Sequence, residues 1–456
     1  MSRGFESHTL RNSAAAHPER TRVSQTTKPG KTSRRPIASH GQLRSPNLFA
    51  QLLKGLAVVL AVVLVSGAGV AAYAVTDLTA TLQTRSVKLE GEAPVPAQPP
   101  GIAAYQGDVN LLLIGTDQCE PAYDAMFGNR CKGKDSGTEN NDVDMLLHIS
   151  SNPRRVTVIS FPRDMMLPVP SCTNKNGGKT SPASKLMLNT TYEIGGLGCV
   201  AKTITQLTGI EIPFAAKITW GGVIQITNAI GGVDVCVSGH LKDRLTGLDM
   251  TAGMHNIQGL QALQFLRTRH GVGDGSDLGR ISNQQQYMSR LVKKIMGEGV
   301  LSDPAMLLKL ANTAVNNITP SDTLANPITL AQIALAMKSV PFDQFVFVQY
   351  PTGYDPTNPN RVIPNKAAAT ALLTALSENK QLQLTGNNGV GSVQETPAPG
   401  TSTAPVTPTT APTPGATAGA GSTATPAPVA TLPSTVTGTT AAEDTCSKGQ
   451  VYNGNG

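Results

Sequence analysis

The chain is predicted to fold as an α/β domain with a mixed central sheet covered by helices, preceded by a transmembrane helix and flanked by disordered tails. Three observations carry that prediction. Short apolar or β-branched runs, as at 109–115 and 155–161, interleave with longer stretches of helical period between residues 107 and 384, a pattern that builds a sheet packed under helices. One apolar run occupies 52–75, long enough to cross a hydrocarbon core of roughly 30 Å. Both ends of the chain lack apolar periodicity and so offer too little apolar surface to offset the entropy of ordering.

Residues 1–50 form a basic arm. Arg3, Arg11, Arg20, Arg22, Lys28, Lys31, Arg34, Arg35 and Arg44, with Lys54 just beyond the arm, face only Glu6 and Glu19, so the surplus of 37 basic over 30 acidic residues lies at this end of the 456-residue chain. Only Phe5 and Phe49 lie among those charges. The arm therefore reads as a topology signal, and no nucleic-acid partner is expected. The helix that follows, 51–75, is read as a single-pass anchor with the arm cytoplasmic and everything after it extracytoplasmic. A cleaved signal peptide is the competing reading, because Ala72-Tyr73-Ala74 has the small-x-small form. The region ahead of it is too long for an ordinary n-region. A linker over 76–106 includes the proline-rich stretch 93–101, which should be semi-rigid.

The body, 107–384, opens on the continuous apolar run at 109–115, expected as a strand buried on both faces. Further strands are expected at 145–149, 155–161, 230–237 and 344–349 from β-branched runs next to turn residues. Helices are expected at 201–208, 221–229, 258–266, 280–296, 304–315, 329–338 and 366–377. In the helix from 280, Ile281, Met288, Val292 and Ile295 make a core stripe at helical spacing, with Arg280 and Gln284 to one side of it. From 385 to 456 the chain is rich in Thr, Pro, Ala, Gly and Ser and is expected to be disordered, like a wall-spanning stalk. The six cysteines form no CxxC and no zinc spacing. Outside the membrane they can form disulfides. The near pairs Cys119 with Cys131 and Cys172 with Cys199 are the suggested bridges, leaving Cys236 and Cys446 over, free thiols being one outcome.

Chemistry concentrates at 262–286. Arg267 and Arg269 are two apart and share a face in extended chain. Asp277 suits a helix cap, and Arg280 and Gln284 are neighbours one turn apart. Guanidinium forks converging on one spot suit a phosphate or diphosphate; a solvated basic loop is the plain alternative. Three more segments put polar groups at the ends of buried strands: Gly115-Thr116-Asp117, Asn141-Asp142 and Pro162-Arg163-Asp164. If the first two strands are antiparallel neighbours, Asp117 and Asp142 reach one point and can hold magnesium, which takes one or two carboxylates with substrate phosphates and water. Asp144 shares a face with Asp142 by alternation, so the choice between them as second acid stays open.

Taken together, NLLLIGTDQ at 110–118, DVDMLLHIS at 142–150, VISFPRD at 158–164, NAIGGVDVCV at 228–237 and GLQALQFLRTRHGVGDGSDLGRISNQQQ at 259–286 resemble the LytR-CpsA-Psr family of membrane-anchored extracytoplasmic phosphotransferases. The clear motifs run from 108 to 296. The resemblance implies an LCP-type fold and transfer of a glycopolymer from a polyprenyl-pyrophosphate carrier to peptidoglycan or another wall acceptor. By the same resemblance Asp117 and Asp142 bind Mg2+, and Arg163, Arg267, Arg269, Arg280, Gln284 and Lys185 hold the diphosphate. Asp142, Arg163, Arg267 and Arg280 are the residues expected to carry catalysis, Asp142 as candidate base. The chain departs from the family pattern in three places. Asn140 stands where an arginine is common, KLMLNTTY at 185–192 replaces a shorter lysine motif, and Asn283 precedes the glutamines. A lipid tunnel is expected among residues 214–230, with Trp220, and around Leu263 and Phe265. The same site with water as acceptor would make a polyprenyl pyrophosphatase, and a sensor of lipid intermediates without turnover is a third reading.

Overall fold

The computed structural model describes residues 47–91, 94–99, 101, 103–127, 129–133, 137–297, 304–395 and 428–450. The basic arm, apart from its last residues, and the segment 396–427 lie outside the described residues.

Helix α1 (Leu48–Arg85) is long and apolar enough to cross a membrane, with mean hydropathy 2.5 over its most apolar window. It runs past the expected boundary at 75. Leu78 and Leu82, one turn apart, pack their side chains against Val315 and Ala325, and this burial keeps the start of the expected linker helical. The body then alternates strands and helices: β1 (Val109–Thr116), β2 (Asn141–Ile149), β3 (Val156–Phe161), β4 (Met166–Val169), β5 (Ala183–Met187), α2 (Thr191–Thr208), β6 (Phe214–Thr219), α3 (Trp220–Ile230), β7 (Val233–Ser238), β8 (Gly253–Ile257), α4 (Gly259–Arg267), α5 (Asp277–Gly297), α6 (Pro304–Asn317), β9 (Ile318–Pro320), α7 (Pro327–Met337), β10 (Phe345–Gln349), β11 (Thr352–Asp355), β12 (Asn358–Pro364) and α8 (Lys366–Ser377).

Among the described residues the main sheet has seven strands in the order β9-β6-β1-β2-β3-β10, closed by a late strand from the tail. It is mixed: β1 pairs antiparallel with β2 and parallel with β6, and β3 pairs antiparallel with β2 and parallel with β10. Both faces are covered, which is why β1 reads as an unbroken apolar run. Leu112 and Ile114 pack with Val200 and Ile204 of α2 and with Leu372 of α8. Val109 and Leu111 pack toward Ile333 and Ala336 of α7, with Met288 and Val292 of α5 against the same cluster.

Two expectations need correction. Helix α2 begins at Thr191 rather than 201, with a break at Gly195–Gly196. A Cβ at Gly195 would lie within 3.0 Å of Cys172 and Cys199, so the glycine leaves room for the disulfide between them. The tail beyond 385 is also partly ordered. Strands β13 (Ser392–Gln394), β14 (Gly438–Thr440) and β15 (Thr445–Lys448) add to existing sheet edges. β14 pairs with β10, and β15 lies between β7 and β13. Its composition hid this because an added edge strand takes its hydrogen bonds from the host sheet and needs little apolar surface of its own. Cys236 and Cys446 bridge β7 to β15, so neither is free, and Cys119–Cys131 and Cys172–Cys199 form as suggested.

The Cys236–Cys446 bridge closes a sequence separation of 210 residues, and long loops gain most from closure. The double substitution Cys236→Ser/Cys446→Ser is expected to lower unfolding free energy by about 2–4 kcal/mol in a denaturant titration. It should also expose 428–450 to protease, whereas an unchanged midpoint would show that the bridge is dispensable.

Candidate functional site

The site is built at one end of the main sheet. In the β1–β2 pairing Thr116 stands opposite Asn141, so Asp117, just past β1, and Asp142, at the start of β2, come to the same end. The antiparallel condition for bringing these two acids together is met. Asp144 pairs with Phe161 across β2 and β3, and the turn after β3 brings Arg163 back onto Asp142, with Nη1 2.5 Å from Oδ1. Helix α5 enters from the opposite side. Asp277 in its first turn accepts from the Arg163 backbone N–H at 3.0 Å and pairs with Arg280 at 2.6 Å. Arg280 in turn donates to the backbone carbonyl of Asp142 at 2.7 Å. Burial opposes the charge on Arg163, but Asp142, Asp277 and Asp164 more than offset it and raise its pKa above the usual arginine value.

Arg267 ends α4 and has its guanidinium 3.8 Å from the ring centroid of Trp220, a cation–π contact. Burial lowers its pKa, and Asp142 opposes that shift; an arginine stays charged regardless. Arg269 reaches Asp164 at 3.3 Å. Its loop is held by Asp243, whose Oδ2 accepts from the Thr268 hydroxyl and from the Arg269 and His270 backbone N–H groups. The Nε atoms of Arg269 and Arg280 are buried without a hydrogen-bond partner in the protein, whereas Arg163 Nε faces the carboxylates of Asp164 and Asp277 at 3.7 and 3.9 Å. Buried polar groups are nearly always satisfied, so these orphaned donors suit an anion.

Burial separates the two neighbouring acids. Asp142 lines the cavity beside Arg267 and Arg280, whereas Asp144 is 1% exposed and bonded to Asn141 Nδ2 at 2.8 Å. Burial, with repulsion from Asp142 and Asp277, pushes the Asp144 carboxyl well above the usual carboxylate range against the pull of Asn141 and Arg280. Gln284 donates to the Leu266 carbonyl at 2.9 Å and lines the cavity wall, so in this structure it ties α5 to α4. Lys185 is drawn elsewhere: Asp355 takes it at 2.6 Å and the Thr357 hydroxyl at 2.9 Å. The same β11–β12 hairpin sends Arg361 to within 3.6 Å of Asp164.

The sequence reading missed Arg130. It sits on the short helical turn Asn129–Lys132, next to the Cys119–Cys131 bridge. Its guanidinium contacts Asp117 Oδ2 at 2.9 Å and donates to the Thr138 carbonyl at 2.9 Å, which puts a cation beside the acid pair although position 140 is asparagine. The same bridged loop packs Phe127 against Trp220, ring centroids 4.4 Å apart and tilted by 56°, and Glu120 accepts from the Gly221 backbone at 2.8 Å at the start of α3. A Cβ at Gly221 would overlap the Tyr123 ring, so glycine is what lets the loop dock. Nothing in the local sequence marked Arg130, because its partner lies across a disulfide loop.

Behind the arginines an apolar cavity of about 330 Å³ opens between the sheet and α3, α4 and α5, lined by Leu113, Met145, Trp220, Val223, Leu263 and Leu291 among others. The expected lining is met by Trp220 and Leu263. Phe214 and Phe265 are instead fully buried in separate core clusters.

A sequence model of the LytR_cpsA_psr family matches residues 72–376. The chain is 30% identical over 285 residues to the probable cell wall biosynthesis protein LcpB of Corynebacterium glutamicum, covering 62% of this chain and 64% of LcpB. It is 28% identical over 215 residues to the polyisoprenyl-teichoic acid–peptidoglycan teichoic acid transferase TagU of Enterococcus faecalis, covering 47% of this chain and 61% of TagU. The matches thus span less than two thirds of either relative. Among solved structures, a LytR-Csp2A-Psr enzyme from Actinomyces oris is similar with TM-score 0.44 and 23% identity, over 64% of this chain and 95% of that one.

Asp144 yields a signed prediction. Because its folded pKa is raised, the folded state holds a proton that the unfolded chain has lost, and stability falls as pH rises through that window. Asp144→Asn removes the titration. It is expected to raise Tm relative to the parent, by more at pH 7 than at pH 4. A difference independent of pH would contradict the burial argument.

Proposed function

The chain belongs to the LytR-CpsA-Psr family, and on that premise we propose that it is a membrane-anchored extracytoplasmic transferase. It moves a phosphoglycan from a polyprenyl-pyrophosphate carrier to peptidoglycan or another wall acceptor. One observation carries this reading: Arg267 and Arg280 stand with Asp142 in the lining of an apolar cavity, Arg280 with a buried Nε that lacks a hydrogen-bond partner, and strand pairing brings Asp117 to the same end of the sheet. An apolar pocket with a few charged groups at its mouth is the expected form of a site for an amphiphile with an anionic head. Helix α1, by length and composition, supports the anchor, and the basic arm before it supports a cytoplasmic N-terminus.

In this reading the lipid tail lies against Leu113, Val223 and Leu291, and the diphosphate meets Arg163, Arg267, Arg269 and Arg280. Their forks neutralise charge on the phosphoryl oxygens and hold the phosphorus in line, which is most of what phosphoryl transfer asks of a protein. The hard carboxylate oxygens of Asp117 and Asp142 suit Mg2+, which when bound supplies charge neutralisation to the diphosphate. Arg130 and Arg163 pair with those same carboxylates, so a cation bound there would compete with them. Asp142 is also the residue placed to accept the proton of the attacking hydroxyl. Gln284 and Lys185 support the site from its edges, Gln284 by joining two helices and Lys185 by holding the β11–β12 hairpin that carries Arg361.

Arg267→Ala and Arg280→Ala are each expected to reduce transfer by about 100-fold or more in a purified assay with lipid-diphosphate-linked glycan, Mg2+ and wall acceptor. Circular dichroism should stay native for both. Full activity in both variants would sink the assignment. Release of free phosphate in place of a phosphodiester product would instead identify water as the acceptor.

A further inference from the structure

Helix α5 has two sides with different partners. Met288 and Val292 pack into the core. Gly279, Asn283, Gln286, Arg290 and Lys293 recur three or four positions apart on the opposite side, as residues of one helix face do. Asn283 and Gln286 are 0% and 1% exposed, and buried amides need partners. The end of the chain supplies them. Ser447 of β15, itself fully buried, donates its hydroxyl to Asn283 Oδ1. Gln286 Nε2 donates to the carbonyls of Thr445 and Cys236 at 3.2 and 3.3 Å. Further along the same face Arg290 pairs with Glu395, and Lys293 with Asp444 at 2.6 Å.

The same two segments, 389–395 and 444–450, reach the loop that joins α4 to α5. Gly273 N–H donates to the Lys448 carbonyl at 2.9 Å and Gln450 N–H to the Gly271 carbonyl at 3.0 Å, with Val272 and Gly449 bridged antiparallel. Glycine permits this approach. A Cβ at Gly273, where φ is +58°, would lie 2.6 Å from the Val390 carbonyl oxygen, and one at Gly391 would lie 2.2 Å from that of Gly279. The loop has Arg269 at one end, Asp277 at the other and three glycines between them. Glycine loses more freedom on ordering than any other residue. The placing of Arg269 against Asp164, and of Asp277 against Arg163 and Arg280, therefore depends on what holds the loop from outside. Asn283 also donates to the Phe265 carbonyl at 2.6 Å, two positions before Arg267, so the network from Ser447 reaches the end of α4 as well.

We propose that these two segments form a strap that positions the arginine site, with Ser447 as its positioning residue, acting through Asn283. This rests on the transfer reading above. The strap lies wholly outside 72–376, the span matched by the family model, and Asn283, where the chain departs from the family pattern, is the residue it grips. It acts through the loop and α5, limiting them to the arrangement in which Arg269 and Arg280 present their donors. A displacement of about 1 Å in such groups can cost about 100-fold in rate.

Two variants of the full chain test this. Ser447→Ala removes the hydroxyl, and Gly391→Ala drives a Cβ against the Gly279 carbonyl. Each is expected to speed amide hydrogen exchange at 269–276 about tenfold or more while β1, β2 and β3 stay protected. Calorimetric titration with inorganic pyrophosphate should show affinity weakened about tenfold at the parent's stoichiometry, and kcat for transfer should fall about tenfold or more. Stoichiometry counts folded chains, so reduced stoichiometry with parent-like affinity would show a structural role only and overturn the proposal. Parent-like exchange in the loop, or parent-like affinity and kcat despite faster exchange, would overturn it too. A parent chain that binds no pyrophosphate would refute the transfer reading, and faster exchange confined to 269–276 would still uphold the strap as what holds the loop.

Discussion

The pairing of Arg163 with Asp142 joins the turn after β3 to the start of β2 at 2.5 Å, and the arrangement of the site follows from it. A guanidinium and a carboxylate taken out of water each lose several kcal/mol of solvation unless they are matched. Arg163 is matched by Asp142, with Asp277 and Asp164 near by. Asp277 in turn fixes the first turn of α5 against that pair and orients Arg280. The shared pairs of Asp277 with Arg163 and Arg280 make the strand ends and the helix start act as one unit.

Charge matching explains the acids, and sheet burial explains the cavity. β1 and β2 are covered on both faces, yet near the site the residues facing α3, α4 and α5 do not close the interior. The wall there combines small groups such as Gly115 and Thr116 with aliphatic side chains. A Cβ at Gly115 would come within 3.1 Å of Val143, so the two strands approach closely at that point. The Tyr287 hydroxyl is buried without a partner on the cavity wall, and burial pushes its pKa upward. Polar atoms left unsatisfied on an otherwise apolar wall are a feature of binding sites.

Much of this was legible in the order of residues. The two-sided burial of β1 forces a continuous apolar run, and the stripe of Ile281, Met288 and Val292 follows from one helix face meeting the core. Arg267, Arg269 and Arg280 stand out because charge confined to a glycine-rich turn has few structural uses. Arg130 and Arg361 were not legible as site residues, and Asp164 was legible only as a polar group at a strand end. Each meets its partner through a loop, a turn or a hairpin whose course no local period encodes. Lys185 and Gln284 were named for the diphosphate, yet their bonds run to Asp355 and to the Leu266 carbonyl.

Sequence alone determined the class of the fold, the apolar helix and the identity of most charged groups at the site, because these depend on period and composition within short windows. Tertiary structure decided which acid faces the cavity: Asp142 and Asp144 are equivalent by alternation, yet Asp144 is buried, bonded to Asn141 and paired with Ile114 and Phe161 of the core under α2 and α8, while Asp142 lines the cavity. It also decided the fate of the tail. A segment rich in threonine, alanine and serine has little of its own to order it beyond Leu432, Val436 and Ala441, which enter the two main cores. Hydrogen bonds offered by the open edges of β10 and β7, and a covalent tie to Cys236 across a separation of 210 residues, supply the rest from far away along the chain.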